Sequence, residues 1–281
     1  MFKMDQSHLW VRSLSSVRQV DSGYWFSVEK DQCRGGVLLA HGLNMNPKSW
    51  REMIVFLNRL GLAVYRLELK GHRGLNFEDM MDVSAREWLE QFNSAVEFMA
   101  EQIPGLPAYL VGYSLGGLLG MVAQLQKSEP CFERQVLLAP ALALKLYTRL
   151  ALPMTRVVSF LASRSPKEYV ANTRGTTGAA YQALFDLERE FRSAEERQFS
   201  VVNYPTLIIM RPNDELISYR CTKKLIERRE LNRWKLAELP KKKTTHRDLY
   251  FRHLIIDEKS VGERSWQKLT KLLEEFLIRG E

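Results

Sequence analysis

The sequence predicts an α/β protein built on a mostly parallel central sheet with helices on both faces. Three observations lead there. Short apolar runs alternate with longer stretches whose apolar residues recur at helical spacing. The best of these runs, Val37–Ala40, is apolar at every position rather than at alternate ones, as expected of a strand covered on both faces. Glycine, proline and capping residues punctuate the switches between the two patterns.

Between Gly23 and Arg66 the pattern reads strand, strand, helix, strand. Asn46-Pro47 supplies a cap residue with proline at the first helical position. Trp50, Met53, Ile54, Leu57 and Leu60 then follow one helical face until Gly61 stops it. Leu62–Leu67 resumes a strand, and Ser84-x-x-Glu87 matches a capping box opening a helix with Trp88, Phe92, Ala95, Val96 and Met99 on one side. Ala108–Val111, Leu115–Gln126 and Gln135–Leu138 continue as strand, helix, strand, which predicts βαβ units. From 141 to 200 the alternation stops, and two helical patterns, Lys145–Ala162 and Ala179–Arg197, run without a strand between them. The chain therefore divides into a core, 1–140 with 201–281, and a helical insertion, 141–200. Thr206–Met210 restores the strand pattern, Trp234–Leu239 reads as the last strand, and Ser260-x-x-Glu263 matches a capping box opening a final helix with Trp266, Leu269, Leu273 and Phe276 on one side.

Composition narrows the class. The 281 residues are 45% hydrophobic and 26% charged, ordinary globular values, and a chain of this length buries enough surface to fold without disulfides or metals. Three cysteines, Cys33, Cys131 and Cys221, form neither an even framework nor a C-x-x-C pair, so they read as reduced and no metal is expected. Residues 1–20 lack the apolar core of a secretory signal and no apolar run is long enough to span a bilayer, which points to a cytoplasmic protein. The net charge of +8 is spread along the chain. Its one tight run, Lys241–Lys243, lacks the interleaved aromatics of nucleic-acid readers and reads as a solvated loop, so no nucleic-acid partner is expected and membrane contact has no support beyond the charge itself.

The chemistry centres on Gly112-Tyr113-Ser114-Leu115-Gly116, a G-x-S-x-G pattern between an apolar strand and a helix rich in small residues. In that setting the serine sits on a sharp turn with its hydroxyl exposed above the sheet. A lone match is short enough to arise by chance as a packing turn; the flanking strand and helix are what give it weight. A serine hydroxyl is a weak nucleophile and needs a base, an orienting carboxylate and donors for the developing oxyanion. With the pattern's order of Ser, acid, His, only His246 and His253 lie far enough along the chain. His253 precedes an apolar anchor, Leu254-Ile255-Ile256, whereas His246 follows three lysines and two threonines, so His253 is favoured and His246 stays as the alternative. Asp214 follows the strand Thr206–Met210 through Arg211-Pro212-Asn213, in the loop where α/β sheets place their sites. Glu215 beside it competes, and a turn-stabilising aspartate is the plain structural alternative. The oxyanion donors are expected to be the N–H of Leu115 and that of Leu43, with Gly42 allowing the turn after Val37–Ala40 and His41 bonding loop carbonyls.

These segments together resemble the α/β-hydrolase superfamily: His41-Gly42-Leu43-Asn44, Gly71-His72-Arg73-Gly74, Gly112–Gly117, Pro205–Ile209 with Asp214, and His253 with Asp257 ahead of a Trp-containing helix. Within it the chain is most similar to the monoacylglycerol lipase and bacterial carboxylesterase branch, from about residue 24 to 278. One departure is that the branch's Asp-x-x-Gly-His-Gly segment stands here as Glu68-Leu69-Lys70-Gly71-His72-Arg73. The resemblance implies an α/β-hydrolase fold in which 141–200 is a cap over the serine. Its stripe of Leu150, Leu152, Met154, Val157, Val158, Phe160 and Leu161 would suit an acyl-chain tunnel, although a stripe at helical spacing is more often the helix's own packing face.

The expected activity is hydrolysis of a small acyl ester, monoacylglycerol-like or of short-to-medium chain, with Ser114 as nucleophile, His253 as base, Asp214 as orienting acid and no cofactor. The same triad also serves peptidases, amidases, thioesterases, lactonases and acyltransferases. A catalytically silent binding module is the reading from another class.

Overall fold

The computed structural model describes residues 16–74, 77–150, 160–163, 165–240 and 251–280. Eight strands form one sheet in the order β1-β2-β4-β3-β5-β6-β9-β10. These are β1 (Ser16–Val20), β2 (Gly23–Ser27), β3 (Gly35–Ala40), β4 (Leu62–Leu67), β5 (Ala108–Tyr113), β6 (Arg134–Leu138), β9 (Thr206–Met210) and β10 (Trp234–Glu238). The pairs from β4 to β10 are parallel, and β1 and β2 add antiparallel at one edge. Every residue of β3, β4 and β9 is buried, the signature of a sheet covered on both faces.

Helices join the parallel strands. Asn46 caps a short 3₁₀ turn, Pro47–Trp50, by accepting the Lys48 N–H, and α1 (Arg51–Arg59) continues from it to Gly61, whose φ of +78° ends the helix. A short α2 (Glu78–Met81) precedes α3 (Ala85–Gln102), which opens with both halves of the Ser84/Glu87 capping box and buries Trp88, Phe92 and Met99. After β5 comes α4 (Leu115–Leu125), buried along its whole length. A short α5 (Leu146–Leu150) follows β6, and β7 (Phe160–Leu161) pairs antiparallel with β8 (Thr176–Thr177). Next come α6 (Gly178–Ser193), which packs against α3 and α4, and α7 (Phe199–Val202). The chain then runs through β9, α8 (Tyr219–Arg228) and β10, and closes with α9 (Glu258–Val261) and α10 (Glu263–Glu274).

Two local expectations change. The helix expected over Lys145–Ala162 is helical only at Leu146–Leu150 within the described residues, and its end is the strand Phe160–Leu161. A two-residue strand is too short for periodicity to reveal. Residues Leu152, Met154, Val157 and Val158 of the apolar stripe, like Lys241–Lys243 and His246, lie outside the described residues. Ser260 does not cap the last helix. Asp257 does the capping one turn earlier, accepting the Ser260 N–H at 2.8 Å, while the Ser260 hydroxyl accepts the Asp257 N–H in return and Gly262 at φ +86° separates α9 from α10. Strand β1 and helix α8 were not read from the sequence: β1 is almost wholly exposed, and α8 sets only Tyr219, Leu225 and Ile226 partly against the core among charged residues, which makes a thin apolar pattern.

Candidate active site

The carboxyl ends of β3, β5 and β9 each deliver one loop to the same edge of the sheet, which is where open α/β sheets bind ligands. Ser114 stands between β5 and α4 at φ +50°, ψ −110°, a conformation that L-residues avoid and that the surrounding packing must hold. The glycines explain how. A Cβ on Gly116 would lie 2.2 Å from the Ala40 carbonyl oxygen of β3, and one on Gly112 would lie 2.8 Å from the backbone of Gly117. Only side-chain-free residues let α4 start this close to the sheet. The Ser114 N–H is held by the Leu138 carbonyl at 3.0 Å, and its carbonyl accepts the N–H of Ala141 at 3.0 Å.

His253 Nε2 lies 2.9 Å from Ser114 Oγ, and His253 Nδ1 lies 2.8 Å from Asp214 Oδ2. The carboxylate can only accept from Nδ1, so the proton sits there and Nε2 is left to accept the serine proton. Asp214 is fully buried, and its other oxygen accepts the N–H groups of Leu216 and Ile217 at 2.7 and 2.8 Å. Burial pushes its carboxyl upward, but His253 together with these two N–H groups outweighs it and holds the acid below its ordinary range. The Tyr113 ring lies 5.2 Å from the imidazole, centroid to centroid.

Glu215, the competing acid, turns the other way along the loop. Its Oε2 accepts the backbone N–H groups of Arg252 and His253, at 3.1 and 3.0 Å, so it grips the main chain that carries the imidazole rather than the imidazole itself. Arg211, buried at the start of the acid loop, donates to the carbonyls of Arg252, Val261 and Pro240. Lys145 donates its ammonium to the Asp214 carbonyl oxygen.

The loop after β3 is tied on two sides. His72 Nε2 accepts the Asn44 N–H at 2.9 Å, and His41 Nε2 accepts the Leu69 N–H at 3.1 Å. A backbone N–H can only donate, so both rings are neutral with the proton on Nδ1, facing the carbonyls of Lys70 and Gly42. Burial is the main reason the His72 pKa falls to about 4, and it drives His41 well below its usual value. His41 thus bonds one carbonyl, as its sequence suggested, and one N–H besides. On the other side Asn44 and Asn172 exchange hydrogen bonds, Asn44 Nδ2 to the Asn172 carbonyl at 3.1 Å and Asn172 N–H to Asn44 Oδ1 at 2.8 Å. The positive φ in this loop belongs to Asn44, +51°, and not to Gly42. Gly42 is small for another reason, since a Cβ there would lie 2.7 Å from the Tyr113 ring. The N–H groups of Leu43 and Leu115 make no hydrogen bond among the described residues, and Leu115 is the first residue of α4, where N–H groups lack helical partners.

The sequence named Ser114, Asp214 and His253, and the structure brings the three into one hydrogen-bonded chain. It missed the backbone role of Glu215, the Lys145 contact and the Asn44–Asn172 pair. The last two join residues far apart in sequence, for which no local pattern exists.

Fold and site together define an α/β-hydrolase. The monoglyceride lipase of Saccharomyces cerevisiae superposes with a TM-score of 0.71 at 12% identity, covering 94% of each chain. The monoacylglycerol lipase of Paleococcus ferrophilus does so at 0.66 and 19%, covering 95% of this chain and 100% of the other. The chain belongs to the serine aminopeptidase S33 family, whose sequence profile matches residues 31–187, more than half its length. In sequence it is 34% identical over 86 residues to a monoacylglycerol lipase of Mycolicibacterium smegmatis and 21% identical over 140 residues to a monoglyceride lipase homolog of Monkeypox virus. These matches span 30% and 46% of the two relatives' lengths.

Proposed function

We propose that the protein is a serine esterase that cleaves small carboxylic esters, monoacylglycerol-like or with short-to-medium acyl chains. The observation that carries the proposal is the unbroken chain from Ser114 Oγ to His253 at 2.9 Å and from His253 to Asp214 at 2.8 Å. In this mechanism Ser114 attacks the ester carbonyl as His253 Nε2 takes its proton, and Asp214 fixes the ring and stabilises the imidazolium. The N–H groups of Leu43 and Leu115 receive the oxyanion. Collapse of the tetrahedral intermediate returns the proton to the leaving alcohol, and water then releases the acid from Ser114 by the same route. No metal or organic cofactor enters. The part of the 141–200 insertion before α6 acts as the cap, with α6 itself serving the helical layer on α3 and α4.

Fluorophosphonate labelling located by peptide mass spectrometry, with an ester series from acetate to long acyl chains, tests this. Labelling at Ser114 and loss of turnover in Ser114→Ala are expected, and full turnover in that variant would overturn it. The S33 family description also favours a peptidase reading on the same residues. Aminoacyl anilides run beside the esters decide between them.

A further inference from the structure

A groove of about 670 Å³ lies between α8 and the end of α6 with the segment that follows it. Its apolar lining includes Leu144 and Leu225, both half-buried, beside Leu142, Phe191 and Phe199, which are buried. On α8 the lining residues Cys221, Lys224, Leu225 and Arg228 recur at three- and four-residue intervals and share one face. Four cations line the groove: Arg192, Lys224, Arg228 and Arg229. Arg192 pairs with Glu188 at 3.6 Å and Arg229 with Glu196 at 3.3 Å. Lys224 and Arg228 make no ion pair among the described residues, although they stand one turn apart on the helix, where like charges repel.

We propose that this groove binds a single-chain anionic amphiphile, its carboxylate against Lys224 and Arg228 and its acyl body on Leu144 and Leu225. The two features select the class jointly. A bare anion would leave the accessible parts of Leu144 and Leu225 wet, and a neutral lipid would leave two adjacent cations uncompensated. The volume matches one small molecule. The base of the groove is also knitted to the acid loop: the Ser218 N–H donates to the Ala143 carbonyl and the Lys145 N–H to the Leu216 carbonyl, each at 2.9 Å. An occupant therefore presses on the segment whose N–H groups hold Asp214.

Cys221 supplies the test. It is an exposed free thiol on the groove wall, while Cys33 and Cys131 are partly buried elsewhere and serve as internal references. Alkylation of each cysteine by iodoacetamide is followed by peptide mass spectrometry on the Ser114→Ala protein, so the result does not depend on ester turnover. Decanoate is expected to slow alkylation of Cys221 at least fivefold with no change at Cys33 and Cys131, while decanol and inorganic phosphate have little effect. Protection is expected to vanish in K224Q/R228Q, whose circular dichroism shows whether the fold is kept. Absence of protection by decanoate, equal protection by decanol or by phosphate, or protection that persists in the folded double variant would each overturn the proposal.

Discussion

Replacing His72 by phenylalanine tests the neutral, buried histidine that holds the Asn44 N–H, and it does so with two signs at once. At pH 7 the substitution keeps an aromatic ring but leaves the Asn44 N–H without its acceptor, while the Lys70 carbonyl keeps the Trp88 indole as a donor. An orphaned buried donor costs about 1–3 kcal/mol, so the variant is expected to be less stable by that amount. Acid reverses the comparison. The His72 pKa falls from 6.5 to about 4 on folding, because burial excludes the charged ring. Between those values the unfolded chain binds a proton that the folded chain refuses, so stability is intact above pH 6.5 and drains away as the pH falls toward 4. The slope is about 1.4 kcal/mol per pH unit for one proton, or ~3 kcal/mol over the window. The variant has no such proton to refuse, while His41, driven down chiefly by burial, refuses its own proton in both proteins. Urea unfolding followed by tryptophan fluorescence from pH 7 to pH 4 is therefore expected to give two curves that converge and meet near the acid end. Parallel curves across that range would refute the assignment of His72 as a neutral acceptor.

Asp214→Asn keeps the shape of the acid but invites the wrong histidine tautomer, and ester kcat is expected to fall on the order of 10⁴-fold with the fold unchanged. Glu215→Ala removes the acceptor of two N–H groups on the His253 loop, so kcat should drop about tenfold at nearly constant KM, with Glu215→Gln recovering most of it through its amide oxygen. Asn44→Gly is expected to retain more ester kcat than Asn44→Ala, because glycine accepts the φ of +51° while both lose the exchange with Asn172. Gly116→Ala drives a methyl group to 2.2 Å from the Ala40 carbonyl oxygen, so soluble protein should be lost or its melting temperature sharply lowered, a destabilisation of about 4 kcal/mol or more.

What the sequence made legible follows from where information is local. The parallel strands announced themselves because burial on both faces forces continuous apolar runs, and Ser84 and Asn46 announced helix starts because capping chemistry is confined to one turn. Ser114 was legible for the same reason, since the clash of any Cβ at Gly112 or Gly116 restricts the residues next to it. Chain order narrowed the base to His246 and His253, and the apolar anchor Leu254-Ile255-Ile256 favoured His253, while the loop after Thr206–Met210 pointed to Asp214. Asn172 was not legible, because its partner Asn44 lies 128 residues away and the pairing has no repeating pattern. Glu215 was seen as a rival to Asp214 because residue type alone cannot tell a carboxylate that faces an imidazole from one that faces the main chain behind it.

The clasp around His253 and the clasp around Asn44 solve one physical problem. The proposed attack on a carbonyl needs the serine, the base and the oxyanion donors fixed to a fraction of an ångström, yet all but Leu115 sit outside helices and strands, in loops whose conformational entropy opposes such order. The sheet fixes Ser114 directly, by jamming α4 against β3 at Gly116. It cannot fix His253 in that way, because His253 itself belongs to no strand of the sheet. There the acid loop does the work: Glu215 and Arg211 take up the N–H groups and carbonyl of the histidine segment, so Asp214 and His253 arrive as one unit. The Leu43 segment is held by His72 from the core side and by Asn172 from the insertion. Displacing the 169–172 segment would thus remove the Asn172 exchange together with the Asn46–Tyr169 and Ala171–Asn44 backbone bonds, which ties the insertion to the loop of the proposed oxyanion donor Leu43.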